Sequence, residues 1–170
     1  KRLRSKMSRR RRSYEEGHKP KFLVIIDDTP ECERAVYYAS RRAARTNGGV
    51  TMLRVIDLKD EPQEWLGVAD IMKAEARDAA NEVLGRFAAR VAGITGLTAE
   101  CVTREGEATQ EILKLIDEDD DIVVLILAAA VEQENPGPLV THLSRVSGDF
   151  PIPIGIVPGH LTDEEIDALS

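Results

Sequence analysis

The chain alternates short apolar runs with segments of helical periodicity between residues 22 and 157. The apolar runs are continuous, which is typical of strands buried on both faces of a parallel sheet. The helical segments repeat their apolar positions every 3.6 residues, as an amphipathic helix does. The pattern predicts strands at 22–26, 50–56, 97–103, 122–127 and 152–157, and helices that begin near residues 30, 71, 107 and 138.

The predicted order is strand–helix four times, followed by a strand. Parallel strands need crossover connections, and these are almost always right-handed. The expected fold class is therefore α/β: a five-stranded parallel doubly wound sheet in a Rossmann-like three-layer sandwich. The run 122–127 is the most apolar and is expected to be central, whereas Glu100 and Pro153 indicate edge positions for the third and last strands.

Local signals also predict where helices begin and which faces they bury. Thr29 and Pro30 predict an N-cap and a first-turn proline for the first helix. In the second helix, Ile71 and Met72 belong to the apolar face that is expected to pack on the sheet. A capping box over Thr162–Glu165 predicts a short helix at the end of the chain.

Charge divides the chain into a basic start and an acidic body. The 170 residues hold 23 basic and 30 acidic groups, and residues 1–12 contain eight of the basic groups and no acid. We therefore expect a disordered basic tail over 1–21, one domain over 22–158 and a capped short helix over 159–170. An acidic body disfavours specific nucleic-acid binding and anionic membranes, although the tail leaves a weak anchor for either as an alternative. Met7 is an alternative start of the chain.

The cysteines and the absence of a long apolar segment predict a cytoplasmic protein. Cys32 and Cys101 form no CxxC pair, which favours two reduced thiols. No apolar run reaches the length of a membrane span. Because Cys32 lies in the first turn of a helix, a lowered thiol pKa and a redox role are the alternative for this residue.

Ligands of doubly wound sheets bind beyond the carboxyl ends of the strands, where the strand order reverses. The candidate positions are Asp27, Asp28 and Thr29 after the first strand, residues 55–58 after the second and residues 128–139 after the fourth. The chain has no GxxxxGK[ST] loop, GxGxxG turn, GxSxG elbow or HExxH helix. The two aspartates either hold magnesium with a nucleotide or cap the following helix.

These segments resemble the universal stress protein family. The sequence from Leu23 to Ile26 with Asp27-Asp28-Thr29, then Glu33-Arg34-Ala35, is similar to the family opening V-D-x-S … x-R-A. Leu53–Val55 is similar to the family's L-x-V segment. Gly106, Glu111–Leu113 and Asp121–Val123 are similar, in this order, to its G … x-I-L … D-L-I-V segment. Ile152–Val157 is similar to its C-P-V-x-V-V segment. The resemblance covers residues 22–158 and implies the adenine nucleotide alpha hydrolase-like fold.

In the ATP-binding branch of that family, the aspartate after the first strand and a valine of the second face the nucleotide. The resemblance carries these roles to Asp27 and Val55. It places the phosphates on a G-x2-G-x9-G-[S/T] loop after the fourth strand, through backbone amides and a helix N-terminus. By this resemblance, nucleotide-binding positions are expected at Asp27, Asp28, Thr29, Val55, Ala128, Gly137 and Thr141, with no catalytic or metal-binding residue.

The chain departs from the family at the phosphate loop. Ala128 stands at the first glycine of the pattern, and Thr141 at the third. Gly137 is the glycine that remains, and it precedes Pro138, which has no amide hydrogen to donate. The acidic side chains of this loop, Glu132 and Glu134, add negative charge where phosphates would lie. We therefore expect weak or no nucleotide binding, and ATP with magnesium remains an open cofactor.

The resulting functional prediction is a non-enzymatic stress-response module that acts through contacts with protein partners. The resemblance implies a homodimer through the last strand, with Ile154 and Ile156 at the interface. The alternative is a Mg-ATP switch with slow hydrolysis or autophosphorylation, in which Asp27 holds the nucleotide. A flavodoxin-like redox protein is a third class, but the chain lacks a hydroxyl-rich phosphate loop after the first strand.

Overall fold

The computed structural model describes residues 10–57, 66–131 and 134–170. The predicted connection over residues 58–64, the acidic Glu132 and residues 1–9 lie outside the described residues. The strands are β1 (Lys21–Ile25), β2 (Gly49–Ile56), β3 (Glu100–Glu105), β4 (Ile122–Ala129) and β5 (Ile154–Pro158). The helices are α1 (Cys32–Arg45), α2 (Leu66–Thr95), α3 (Ala108–Glu118), α4 (Pro138–Val146) and α5 (Asp163–Leu169), with a 3-10 turn at Ser147–Asp149.

In the described part of the chain, the five strands form one all-parallel sheet in the order β3-β2-β1-β4-β5. Successive residues of β1 point to opposite faces, so its apolar run serves two cores. Val24 packs in a core with α1, α2 and α5, and Leu23 packs in a second core with α3 and α4. The α/β doubly wound fold predicted from the apolar pattern is confirmed. As expected, β3 and β5 are the edges, but the central strand is β1 and not the more apolar β4, because crossover connections and not apolar content set the strand order.

The second helix is only partly packed. Leu84 and Val91 are buried in the core with α1, whereas Ile71 and Met72 are 61% and 41% exposed. The prediction that they belong to the buried face was wrong. A helix of 30 residues is about 45 Å long, about twice the length of the strands beneath it, so its first half runs past the sheet. Among the described residues, no helix is both long and apolar enough to cross a membrane.

The first helix begins later than its sequence signal predicts. Its N-cap position is Glu31, which makes no side-chain capping bond. Thr29 is outside the helix because its hydroxyl donates to Asp27 instead of accepting from a first-turn amide. At the end of the chain the capping signal is satisfied, since Thr162 Oγ1 accepts from the Glu165 amide at 3.2 Å.

The described part of the predicted basic tail, residues 10–20, lies against the end of α3. The Arg11 guanidinium donates to the carbonyls of Ile116 (2.6 Å) and Asp119 (3.0 Å), which close the C-terminal end of this helix. His18 Nδ1 lies 2.7 Å from Asp121 Oδ1. This contact between residues 10–20 and α3 has a physical reason. The last carbonyls of a helix lack intrahelical partners and attract cations.

The Cys32 thiol lies in the core between the sheet and α1 and is not exposed at the start of that helix. Its side chain is 2% exposed and donates to the Ile25 carbonyl at 3.7 Å. Burial raises the pKa of this thiol to about 12. The lowered pKa expected from a helix N-terminus was therefore wrong, because the loss of hydration opposes the thiolate more strongly than the helix dipole favours it.

Replacing Arg11 by alanine should destabilise the protein by about 1–2 kcal/mol, because two helix carbonyls lose a charged donor. Arg10→Ala is the matched control, since Arg10 is exposed, and it should change stability by less than about 0.5 kcal/mol. Urea unfolding followed by circular dichroism measures both. Equal losses for the two variants would show that Arg11 does not cap α3.

Iodoacetamide at pH 8 should modify Cys101 and leave Cys32 unmodified in the folded protein. Cys101 is exposed, whereas the raised pKa of Cys32 keeps its thiol protonated and its burial excludes the reagent. Mass spectrometry of tryptic peptides gives the site, and the Cys101→Ser variant should remain unmodified until it is unfolded. Labelling of Cys32 at the rate of Cys101 would contradict this assignment.

Candidate functional site

Three of the predicted site residues lie in the loop after β1, at the carboxyl edge of the sheet. β1 is placed between β2 and β4, where the strand order reverses. Asp27 Oδ1 accepts from the Thr29 amide at 3.0 Å and from the Thr29 hydroxyl. Asp28 Oδ2 accepts from Arg54 at 2.8 Å, and the same guanidinium donates to the Ile26 carbonyl at 3.2 Å. The loop is thus held by its own side chains and by β2.

A cavity of about 300 Å³ opens between this loop and the second half of α2. Its walls combine the three loop residues with one face of the helix. The lining residues are Asp27, Asp28, Thr29, Val83, Arg86, Phe87 and Arg90. The cavity therefore has carboxylates on one wall and guanidinium groups on the other, with apolar surface between them.

A second group of predicted residues surrounds the loop after β4. The Ala130 amide donates to the Pro136 carbonyl at 3.0 Å, which closes the loop on itself. Asn135 Oδ1 accepts from the Gly137 amide at 3.0 Å and from the Thr141 hydroxyl at 2.8 Å. The donors of Gly137 and Thr141 are therefore already bonded within the protein.

The start of α4 offers few further donors beside this loop. Gly137 is the N-cap of the helix, with a φ of 120° that favours glycine, and Pro138 is its first residue. Proline lacks an amide hydrogen, so one of the amides that an N-terminus normally presents is missing. The helix N-terminus predicted after the fourth strand is present, and its first residue, Pro138, has no amide hydrogen.

The remaining two predicted site residues pack on opposite sides of the sheet. Val55 is half-buried against the core formed with α3 and α4, and Ala128 packs against the core formed with α1 and α2. Neither residue lines the cavity beside Asp27, and neither do Gly137 and Thr141. The structure thus brings Asp27, Asp28 and Thr29 together and Gly137 and Thr141 together, as two separate groups.

Sequence analysis missed three side chains that shape these places: Arg86, Arg90 and Asn135. Arg86 and Arg90 share a helix face with Val83 and Phe87 at the spacing i, i+3, i+4 and i+7, so the periodicity contained their common face. The periodicity gave no information on which loop this helix face packs beside. The loop context of Asn135, between glutamate and proline, gave no signal of its bonds.

Carboxylates at this edge serve local structure. Burial disfavours ionisation of Glu107, but hydrogen bonds from the Gln110 and Thr109 amides at the start of α3 outweigh it and lower the pKa of Glu107. Asp28 is paired with Arg54, so a metal ion would have to compete with that guanidinium for the carboxylate. In residues 10–57, 66–131 and 134–170, no group of three His, Cys, Asp or Glu side chains has the arrangement of a metal site.

Comparison with solved structures places the fold among known proteins. Universal stress protein UspA from Lactobacillus plantarum has a TM-score of 0.66 at 18% identity, over 81% of this chain and 97% of that chain. The hypothetical protein MJ0577 has a TM-score of 0.68 at 18% identity, over 84% and 98%. A universal stress protein solved in complex with cAMP has a TM-score of 0.58 at 15% identity, over 82% and 97%.

Among curated protein sequences, none matches this chain significantly. The family model described as the universal stress protein family matches residues 20–134, well over half of the 170 residues. The matched range runs from the start of β1 through β4 and includes the Asp27 loop. The chain belongs to the universal stress protein family.

Proposed function

We propose that this protein is a non-enzymatic, cytoplasmic module of the stress response that acts through protein contacts and binds ATP weakly or not at all. The observation that supports this most directly is the closed loop after β4. Asn135 accepts from the Gly137 amide and the Thr141 hydroxyl, two groups that the resemblance assigns to the family's phosphate loop. A phosphate would have to displace an internal acceptor to reach them.

The energetics of this exchange disfavour the phosphate. Breaking two internal hydrogen bonds offsets much of what two new ones contribute, since each is worth about 1 kcal/mol net. Pro138 offers no additional amide, and the exposed Glu134 adds a negative charge to the same loop. The usual gain from a preorganised set of free amides at a helix N-terminus is therefore small here.

A Mg-ATP switch is the second candidate function, and one feature of this chain favours it. Asp27 lies at the switch point of the sheet with its carboxylate exposed, where the resemblance to the family places a nucleotide contact. A universal stress protein of the same fold was solved with cAMP. In this function, Asp27→Ala would remove nucleotide affinity and leave the fold unchanged.

Dimerisation through β5 is part of the proposal. Both β3 and β5 are edge strands, but β3 carries Glu100, Arg104 and Glu105, whereas the β5 sequence IGIVP has no charge. Charged edges resist pairing with another strand, and uncharged edges invite it. Ile156 of β5 is 46% exposed, which a twofold pairing of two β5 strands would cover.

Purified protein should carry no nucleotide, and isothermal titration with Mg-ATP should give no resolvable heat. Asn135→Ala frees two donors and should strengthen ATP binding by about tenfold or more. Asn81→Ala is the control, because it removes a bond to Thr103 on a different surface and should leave ATP binding unchanged. Stoichiometric ATP in the unmutated protein would overturn the proposal and establish the switch instead.

Ile156→Lys should convert the dimer to a monomer, since two charges would be placed in the paired edge. Val68→Lys is a matched control: Val68 is 41% exposed, close to the 46% of Ile156, but it lies on α2. Size-exclusion chromatography with light scattering gives the mass of each variant. A dimer that survives Ile156→Lys would place the interface elsewhere.

A further inference from the structure

The cavity between the β1 loop and α2 contains one unpaired charge on each wall. Arg86 forms no hydrogen bond or ion pair with any residue in the described part of the chain. Across from it, Asp27 uses Oδ1 to bind Thr29, and its Oδ2 accepts nothing from the described residues. The cavity thus presents a free guanidinium and a free carboxylate oxygen.

The other two charges of the lining are already engaged. Asp28 pairs with Arg54 at 2.8 Å. Arg90 Nε donates to Glu33 Oε1 at 2.9 Å, and its Nη2 lies 3.6 Å from Asp163. The two carboxylates and two guanidinium groups of the lining sum to a formal charge of zero. A polyanion such as ATP therefore gains no net attraction here, whereas a molecule with one positive and one negative group fits both free charges.

The surface between the two free charges is apolar. Val83 and Phe87 are half-buried and pack against the α1 core, so their positions are set by the fold. Both residues also line the cavity. A ligand that bridges the two walls would therefore place its apolar part on Phe87 and Val83.

The size of the cavity limits the ligand. A volume of about 300 Å³ corresponds to a sphere about 8 Å across, at the lower end of small-molecule sites. In an α-amino acid the carboxylate and the ammonium group are about 2.5 Å apart. One amino acid therefore presents both charges within a cavity of this size, with a charge-assisted bond available to each.

We propose that this cavity binds a free α-amino acid with an apolar side chain. Arg86 binds the carboxylate, Asp27 binds the ammonium group, and the side chain rests on Phe87 and Val83. The site does not use the loop after β4, so it stands or falls separately from the proposal that this loop binds ATP weakly or not at all. It shares Asp27 with the alternative Mg-ATP switch, so an amino acid and a nucleotide would compete for that carboxylate.

Binding is tested on the full chain by isothermal titration with L-phenylalanine, L-leucine and L-methionine, with saturation-transfer NMR as a second measurement. We expect at least one of the three to bind. Its affinity should fall by about tenfold or more in Arg86→Gln and in Asp27→Asn, because each variant removes one charge-assisted contact. Arg145→Gln, on the exposed surface of α4, is the control and should bind like the unmutated protein.

Two analogues separate recognition of a zwitterion from simple hydrophobic binding. 3-Phenylpropanoate lacks the ammonium group and phenethylamine lacks the carboxylate, so each should bind about tenfold or more weakly than L-phenylalanine. Binding of either analogue as tightly as the amino acid would overturn the proposal. It would also be overturned if none of the three amino acids binds, or if binding is unchanged in both site variants.

Discussion

The burial of β1 on both faces is the constraint from which the rest of this structure follows. The strand is bonded to β2 on one side and to β4 on the other, and its apolar side chains alternate between two cores. The helices that lead into its two neighbours lie on opposite faces of the sheet. The carboxyl end of β1 is therefore the switch point of the sheet. After the strand and the buried Ile26, the residues Asp27 to Thr29 are polar and exposed because no apolar layer continues beyond the edge. The candidate site is therefore a direct consequence of the central strand.

Long-range polar contacts hold residues 10–20 and the segment around α5 against the rest of the domain. At one end, Arg11 and His18 reach the end of α3 and Asp121. At the other, Arg34 of α1 donates to the Leu161 carbonyl before α5. Ion pairs exposed to solvent contribute little to the free energy of unfolding. Charged side chains that donate to the last carbonyls of a helix contribute more, because those carbonyls would otherwise lack partners. In the described part of the basic start, Arg11 Nη2 lies 3.8 Å from Asp120 Oδ1 of the acidic body.

The carboxyl edge of the sheet combines a closed loop with an open cavity. After β4, the protein's own Asn135 satisfies the donors of Gly137 and Thr141. Beside β1, Arg86 and the Oδ2 atom of Asp27 line a cavity and bond to no other residue in the described part of the chain. A polar group that is already bonded within the protein must break that bond to bind a ligand. A polar group that lines a cavity and has no protein partner binds a ligand without that cost.

The sequence by itself determined the elements and their order. Apolar runs marked the strands, and the predicted helix start near residue 138 matched that of α4, because strand burial and helix caps depend on residues close in the chain. It also located Asp27 at the edge of the sheet and showed the loss of glycines after β4. Tertiary structure alone decided which distant groups share a place: Arg86 and Asp27 line one cavity, Arg11 bonds to the end of α3, and Cys32 lies in a core that raises its thiol pKa. It also left Ile71 exposed, since the length of the sheet under a helix is not encoded in that helix's own period. Such contacts depend on crossover paths and strand register, which the spacing of residues along one element does not contain.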